Sequence, residues 1–372
     1  MLDKENKQET GNVENSTVNQ AGRDIIYQNG LEIKDIIPIV NTLVESKIAA
    51  YAAQAKVTAQ QRVLDFSKRL EEVVEEKVNA KINRFNEPSI QFATRKAALG
   101  YAKSGDEEQR EDLIDLLIER IKVEEHTTEQ NLIDEAIEVL PKLSKEALAF
   151  LVLISYRNLT YNGANNLLKK WFTCISPYLK YSNRISALDI SFLQQSNCAF
   201  GISGINSHDL FEKECLENHE LFFTHPINDV DSFHKFLNVF GLEKYGNDGI
   251  VGINDVNNFV KLMNVFQVLT PLNNVTIAIS SKTVLNQIFQ DPFFNEHREQ
   301  ILEALNLFSP FTEEEVKQFF IRLDPNWEAA INLYNKANVR SLKPTPVGNY
   351  IASRLISKQW GESIGLNVFY PN

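Results

Sequence analysis

Cys215 and His219 stand four residues apart, a step that puts two side chains on one face of a helix, and Cys198, His208 and His225 lie near them in sequence. Thiolate sulfur and imidazole nitrogen are the donors a tetrahedral zinc ion takes. The spacing matches no zinc-ribbon or zinc-finger pattern, so packed or solvated side chains are the expectation and no metal ligand is assigned. The acidic run Glu71-Glu72-Val73-Val74-Glu75-Glu76 reads as a solvated helix face and not as a cation site. The sequence has no Gly-x-Ser-x-Gly elbow, no His-Glu-x-x-His helix and no glycine-rich phosphate loop. No catalytic residue, cofactor-binding residue or cofactor is therefore expected, and a non-enzymatic protein is the reading that remains.

Composition bounds the rest. The 372 residues are enough for two to three ordinary domains, and 43% hydrophobic against 23% charged residues, with 23 Phe and 11 Tyr, suits a chain with a large packed core. A formal charge of −11 disfavours general nucleic-acid binding, because phosphates repel a negative molecule at long range. Cys174, Cys198 and Cys215 cannot all pair within one chain, and three reduced thiols in a reducing compartment are expected. No stretch approaches the roughly 20 apolar residues of a membrane span, and the first thirty residues lack the basic-then-apolar order of a signal peptide. Cytoplasmic localisation is the expectation.

The elements that would position these residues are mostly helices. Residues 1–10 read as a frayed polar tail, and residues 11–30 have no helical period but many β-branched residues and Asn-Gly signals, which predicts short strands and turns. Residues 31–86 change to steps of three and four: Ile36, Val40, Leu43, Val44 and Ile48 form one apolar stripe, and Val63, Phe66 and Leu70 open another. A helix this long cannot cover its own stripe, so a partner helix is required, from this chain or from another copy. Pro38 either kinks it or marks a later start.

Glu87-Pro88-Ser89 then marks a boundary, and a helical domain over 87–180 is predicted, with segments near 89–103, 106–123, 128–141, 144–157 and 164–178. An irregular connector over 181–229 follows, and a C-terminal helical domain over 230–372. Its segments are placed near 230–242, 253–268, 271–290, 295–307, 312–323, 325–338 and 345–359. The starts at Thr270-Pro271 and Thr345-Pro346 put Thr at the N-cap and Pro at the first helical position. The predicted fold is mainly α: a short N-terminal β arm, a long amphipathic helix, then helical-bundle or short α-solenoid domains.

The arm is the most distinctive stretch. Val13, Val18, Ile25 and Ile26 give it apolar faces, and Gln20 among several Asn can form amide ladders between stacked copies. An isolated strand is unstable in water, so pairing with other copies is expected. Arg23 and Asp24 favour a bounded oligomer over an endless fibre, since each Arg23 can meet a neighbouring Asp24 in a closed ring. Self-assembly through Val13, Val18, Gln20, Gly22, Arg23, Asp24, Ile25 and Ile26 is the expectation.

The run Asn15-Ser16-Thr17-Val18-Asn19-Gln20-Ala21-Gly22-Arg23-Asp24-Ile25 resembles an Asn-Ser-Thr-x-x-Gln-Ala-Gly-Arg-Asp leader shared by many bacterial proteins linked to conflict and anti-phage defence. The stretches 102–108, 116–121 and 131–141, and the Thr-Pro-Val-Gly start at Thr345, are similar to an uncharacterised bacterial family that carries this leader. Asn19-Gln20-Ala21-Gly22 also looks a little like bacterial amyloid signalling motifs, but Asn and Ala stand where aliphatic residues belong.

Two function classes follow. The first is a self-assembling sensor or scaffold whose partners are other copies of itself and a phage or partner defence protein. The second is a membrane-disrupting effector in which the alanine-rich segment Ile36 to Val57 inserts only after assembly. The first is preferred, because small residues also favour close helix packing in water.

Overall fold

In a computed structural model, the structure describes residues 33–159, 165–201, 208–240, 245–246, 249–250, 264–269 and 274–365. The chain divides into two compact units, Met1–Thr58 and Ala59–Asn372. The described part of the first is helical throughout and belongs to α1 (Ile33–Lys77), 45 residues long. Pro38 lies inside this helix and not at its start. The proposed strands of residues 11–30 lie outside the described residues.

The second unit is built from short helices whose ends are written in the sequence. A 3-10 turn (Asn79–Asn86) leads to α2 (Pro88–Ser104), followed by α3 (Glu107–Lys122), α4 (Thr128–Val139) and α5 (Lys145–Arg157). Pro88 takes the first helical position, where its missing N–H costs nothing. Asp106, Thr127 and Ser144 each accept a backbone N–H from the first turn of the helix that follows. Gly105 ends α2 at φ 65°, in the left-handed region open to glycine. The chain continues through α6 (Asn165–Thr173), α7 (Ser176–Leu179), α8 (Ala187–Gln195), strand β1 (Ala199–Gly201), α9 (Phe211–Asn218) and α10 (Val230–Val239). Hairpin strands β2 (Tyr245–Gly246) and β3 (Gly249–Ile250) precede a second antiparallel pair, β4 (Phe266–Leu269) and β5 (Asn274–Ile277). Then come α11 (Lys282–Ile288), α12 (Pro292–Glu296), α13 (Arg298–Leu305), α14 (Glu313–Leu323), α15 (Trp327–Tyr334), α16 (Ala337–Arg340), β6 (Leu342–Pro344) and α17 (Pro346–Trp360). A mainly helical fold with only small antiparallel sheets is the result.

Parts of two expected helices are strands, while Lys282–Ile288 is helical as expected. Residues 266–269 pair with 274–277, Phe266 opposite Ile277 and Val268 opposite Val275, where helices had been placed over 253–268 and 271–290. Val275, Ile277 and Ile279 are buried while Thr276 and Ala278 are partly open, a period of two. The stretch expected as an irregular connector holds α8, β1 and α9.

Packing does not follow the boundaries placed at Glu87 and near residues 180–230. One large core joins the second half of α1 with α2 to α5 and then with α14, α15 and α17, so that Phe66, Phe150, Trp327 and Ile356 belong to one cluster. A smaller core around Phe233, Phe266, Val275 and Ile301 is drawn from residues 221–308. α17 docks on α4 and α5, and the Thr345-Pro346-Val347-Gly348 start explains how. Thr345 caps the helix through Gly348 N–H and donates its hydroxyl to Asn197 O at 2.6 Å, while its own N–H reaches Cys198 O at 3.0 Å. A Cβ on Gly348 would fall 2.0 Å from Cys198 O, which only glycine avoids. Gly348→Ala should therefore destabilise the protein by about 2 kcal/mol or more, read as a lower urea midpoint. An unchanged midpoint would mean that the β1–α17 contact is not tight.

Candidate functional site

The surface formed by the first helices collects the features that packing inside the chain does not explain. In the second half of α1, Phe66, Leu70, Val73 and Val74 turn inward to meet Ile90, Ala93, Ala97 and Tyr101 of α2, with the Phe66 and Tyr101 rings 6.2 Å apart. Arg62 Nη1 donates to Ala102 O and Lys103 O at 3.0 and 3.2 Å, satisfying carbonyls that the end of α2 leaves open. Arg69 pairs with Glu111 at 3.0 Å and Lys77 with Asp115 at 3.2 Å. Exposed pairs like these add little stability, but they fix the register of α1 against α3.

Side chains 48–57 of α1 are all exposed, including Ile48 at 60% and Tyr51 at 68%. On the second unit, Leu64 of α1 is 64% exposed, and α2 presents Phe92 at 60% and Leu99 at 48%. An open groove of about 390 Å³ runs between α1 and α2, walled by Val63, Phe85, Ala98 and Leu99 with Thr94 and Arg95 at its edge. Of the twelve large apolar side chains that stand exposed among the described residues, seven fall between residues 48 and 99. On the second unit, Leu99 on the groove wall, with Leu64 and Phe92 on the helices that form it, marks a surface to be covered.

Of the proposed packing residues, Phe66 and Leu70 are buried in this chain's own core, so they serve the fold and are not open to a second copy. Val63 is half-buried on the groove wall and Ile48 is exposed. Ile36, Val40, Leu43 and Val44 lie in α1, where only the backbone course is described. Val13, Val18, Gln20, Gly22, Arg23, Asp24, Ile25 and Ile26 lie outside the described residues. Leu64, Phe92 and Leu99 were not singled out from the sequence. Phe92 and Leu99 stand seven residues apart on α2, off its buried stripe, and that spacing was the available signal.

Polar clusters elsewhere are already committed. Arg157, almost wholly buried, sends Nε to Glu214 Oε2 at 2.6 Å and Nη1 to Tyr334 O at 3.0 Å, and bonds Asp209 O. Glu214 also receives His208 Nδ1 at 3.0 Å, and these bonds hold its carboxyl below the usual range despite its burial. This cluster ties α5, α9 and α15 together. A cleft of about 450 Å³ between α3 and α17 is floored by Leu116, Leu140 and Ile351, and each cation on its rim has an acid: Lys358 with Asp112, Arg354 and Lys122 with Glu119, Lys77 with Asp115.

Cys215 and His219 do sit together at the end of α9 and line one small cavity, with room for about one water molecule. Among the described residues no three His, Cys, Asp or Glu side chains converge as metal ligands. Burial pushes the Cys174 and Cys198 thiols up to about 12 and the Cys215 thiol well above its usual value, which leaves all three inert. His219 packs edge-on to Phe172 at 5.7 Å with Nδ1 unpartnered, and burial lowers its pKa from 6.5 to about 4. A histidine kept neutral in the fold supports stability fully above pH 6.5 and loses that support as pH falls toward 4, because the unfolded chain takes up the proton first. Between pH 7.5 and 4.5, His219→Phe should therefore lose less stability than the unaltered chain, by roughly 2 to 3 kcal/mol in paired urea melts. Equal losses would show that His219 is not the buried neutral group.

No curated protein and no solved structure matches the chain. A protein-family model matches residues 30–370. Most of the sequence is thus accounted for by one family, and the chain belongs to that uncharacterised family.

Proposed function

We propose that this protein is a non-enzymatic, self-assembling scaffold or sensor that works inside the cell through copies of itself. One observation carries the reading: ten consecutive residues of α1, 48–57, are exposed, with Ile48 and Tyr51 together on one face of the helix. An apolar face of this kind, left in water, favours association. The arm of residues 11–30 supplies a second self-complementary element, with Arg23 and Asp24 limiting growth to a closed oligomer. The likeness of that arm to a leader found in conflict systems is the ground for placing the assembly in anti-phage defence, with a phage component or a defence protein as the further partner.

The committed state of the buried polar clusters agrees with a non-catalytic role. Among the described residues no helix is long and apolar enough to cross a membrane, which makes insertion the less favoured outcome of assembly. Removing residues 1–30 should lower the mass of the full chain in light scattering by a whole number of copies. Liposomes loaded with dye should stay intact when the unaltered chain is added at assembling concentrations. An unchanged mass would remove the arm from the mechanism, and dye release would turn the reading toward a membrane effector.

A further inference from the structure

The open groove of the second unit and the exposed helix stretch of the first have matching chemistry. Ile48, Tyr51, Ala52 and Ala55 follow one another at steps of three, one and three, which sets them on one helix face, and the alanines allow close approach. The groove offers Val63, Phe85, Ala98 and Leu99, and Phe92 and Leu64 are exposed on the two helices that form it. An amphipathic helix laid into an apolar groove is a recurrent mode of recognition. Building on the self-assembly reading, we infer that the α1–α2 groove of one copy receives the 48–55 helix face of a second copy, and that the exchange is reciprocal.

Area decides between reciprocal and one-way docking. The five large side chains Ile48, Tyr51, Leu64, Phe92 and Leu99, at about 100 Å² each with the alanines added, offer roughly 600 Å² per copy, or ~1,200 Å² across a pair. That sum reaches the lower edge of stable interfaces only if each copy both gives its helix and receives one. One-way docking of a different protein's helix would use about half of it, which is the range of incidental contacts. Two-fold exchange between identical chains meets the requirement with the surfaces this chain already has, and it closes the assembly.

The test uses the full chain. Tyr51→Cys and Leu99→Cys are made separately, mixed in equal amounts and treated with a short bis-maleimide, the native Cys174, Cys198 and Cys215 being buried. The mixture should form cross-linked pairs several-fold above either variant alone, with peptides containing positions 51 and 99 joined. In sedimentation equilibrium, Leu99→Glu should weaken association at least about tenfold, because a charge would be held in an apolar groove. Persistent multimers without a 51–99 link overturn the groove exchange and leave self-assembly standing. A single-copy mass for the unaltered chain overturns both. A link within one chain, between Leu99→Cys and Val18→Cys in a double variant, would give the groove to the chain's own leader and likewise overturn the proposal.

Discussion

A helix can bury an apolar stripe only along the length over which something lies against it. That constraint governs α1. From Phe66 to Val74 its inward residues are covered by the core of the second unit, and the cover is locked by Arg62 on the open carbonyls of α2 and by the Arg69–Glu111 pair. Over residues 48–57 every side chain is open. A fully buried Ile or Tyr gains about 1.5 to 3 kcal/mol over an exposed one, so the uncovered stretch forgoes several kcal/mol that only a partner can return.

The rest of the second unit holds α2 and the groove beside it in place. α2 and α3 stand on a core that α17 closes from the far end of the sequence. Gly348 lets the start of α17 approach the Cys198 carbonyl, Thr345 joins that start to Asn197, and Arg354 and Lys358 then reach Glu119 and Asp112 of α3. Buried Tyr156 and Tyr334 spend their hydroxyls on the carbonyls of Trp171 and Leu153, so both phenols of the aromatic layer among α5, α9, α14 and α15 are answered, while Trp327 Nε1 in the same layer has no partner among the described residues. Buried ionic groups such as Arg157 with Glu214, and Arg120 with Asp134, hold particular helices together; breaking one partner leaves a charge stranded. These paired groups serve the architecture, and the large side chains left uncovered on α1 and α2 are apolar.

Much of the helical layout was legible from local signals. Asp106, Thr127, Ser144, Thr312 and Thr345 each cap the helix expected to begin after them, and the steps of three and four along α1 placed its start, although the helix ends at Lys77 and a 3-10 turn takes residues 79–86. The β4–β5 pair was not legible, because a short apolar run such as Phe266 to Leu269 fits a buried helix turn as well as a strand. The union of α17 with α4 and α5 was also hidden, since contacts across some two hundred residues leave no local period. At the candidate surface, the need of α1 for a partner could be read, but not where its own chain supplied one. Phe66 and Leu70 look like Ile48 in sequence and differ only in what folds over them.

Hydrogen–deuterium exchange of the full chain, followed by mass spectrometry at low and high micromolar concentrations, tests the covered-face account most directly. An uncovered helix opens readily and a docked one does not. Exchange over residues 48–57 and 88–99 should slow as concentration rises, while the core helix 145–157 stays unchanged. Exchange over 48–57 that is the same at every concentration would contradict the account.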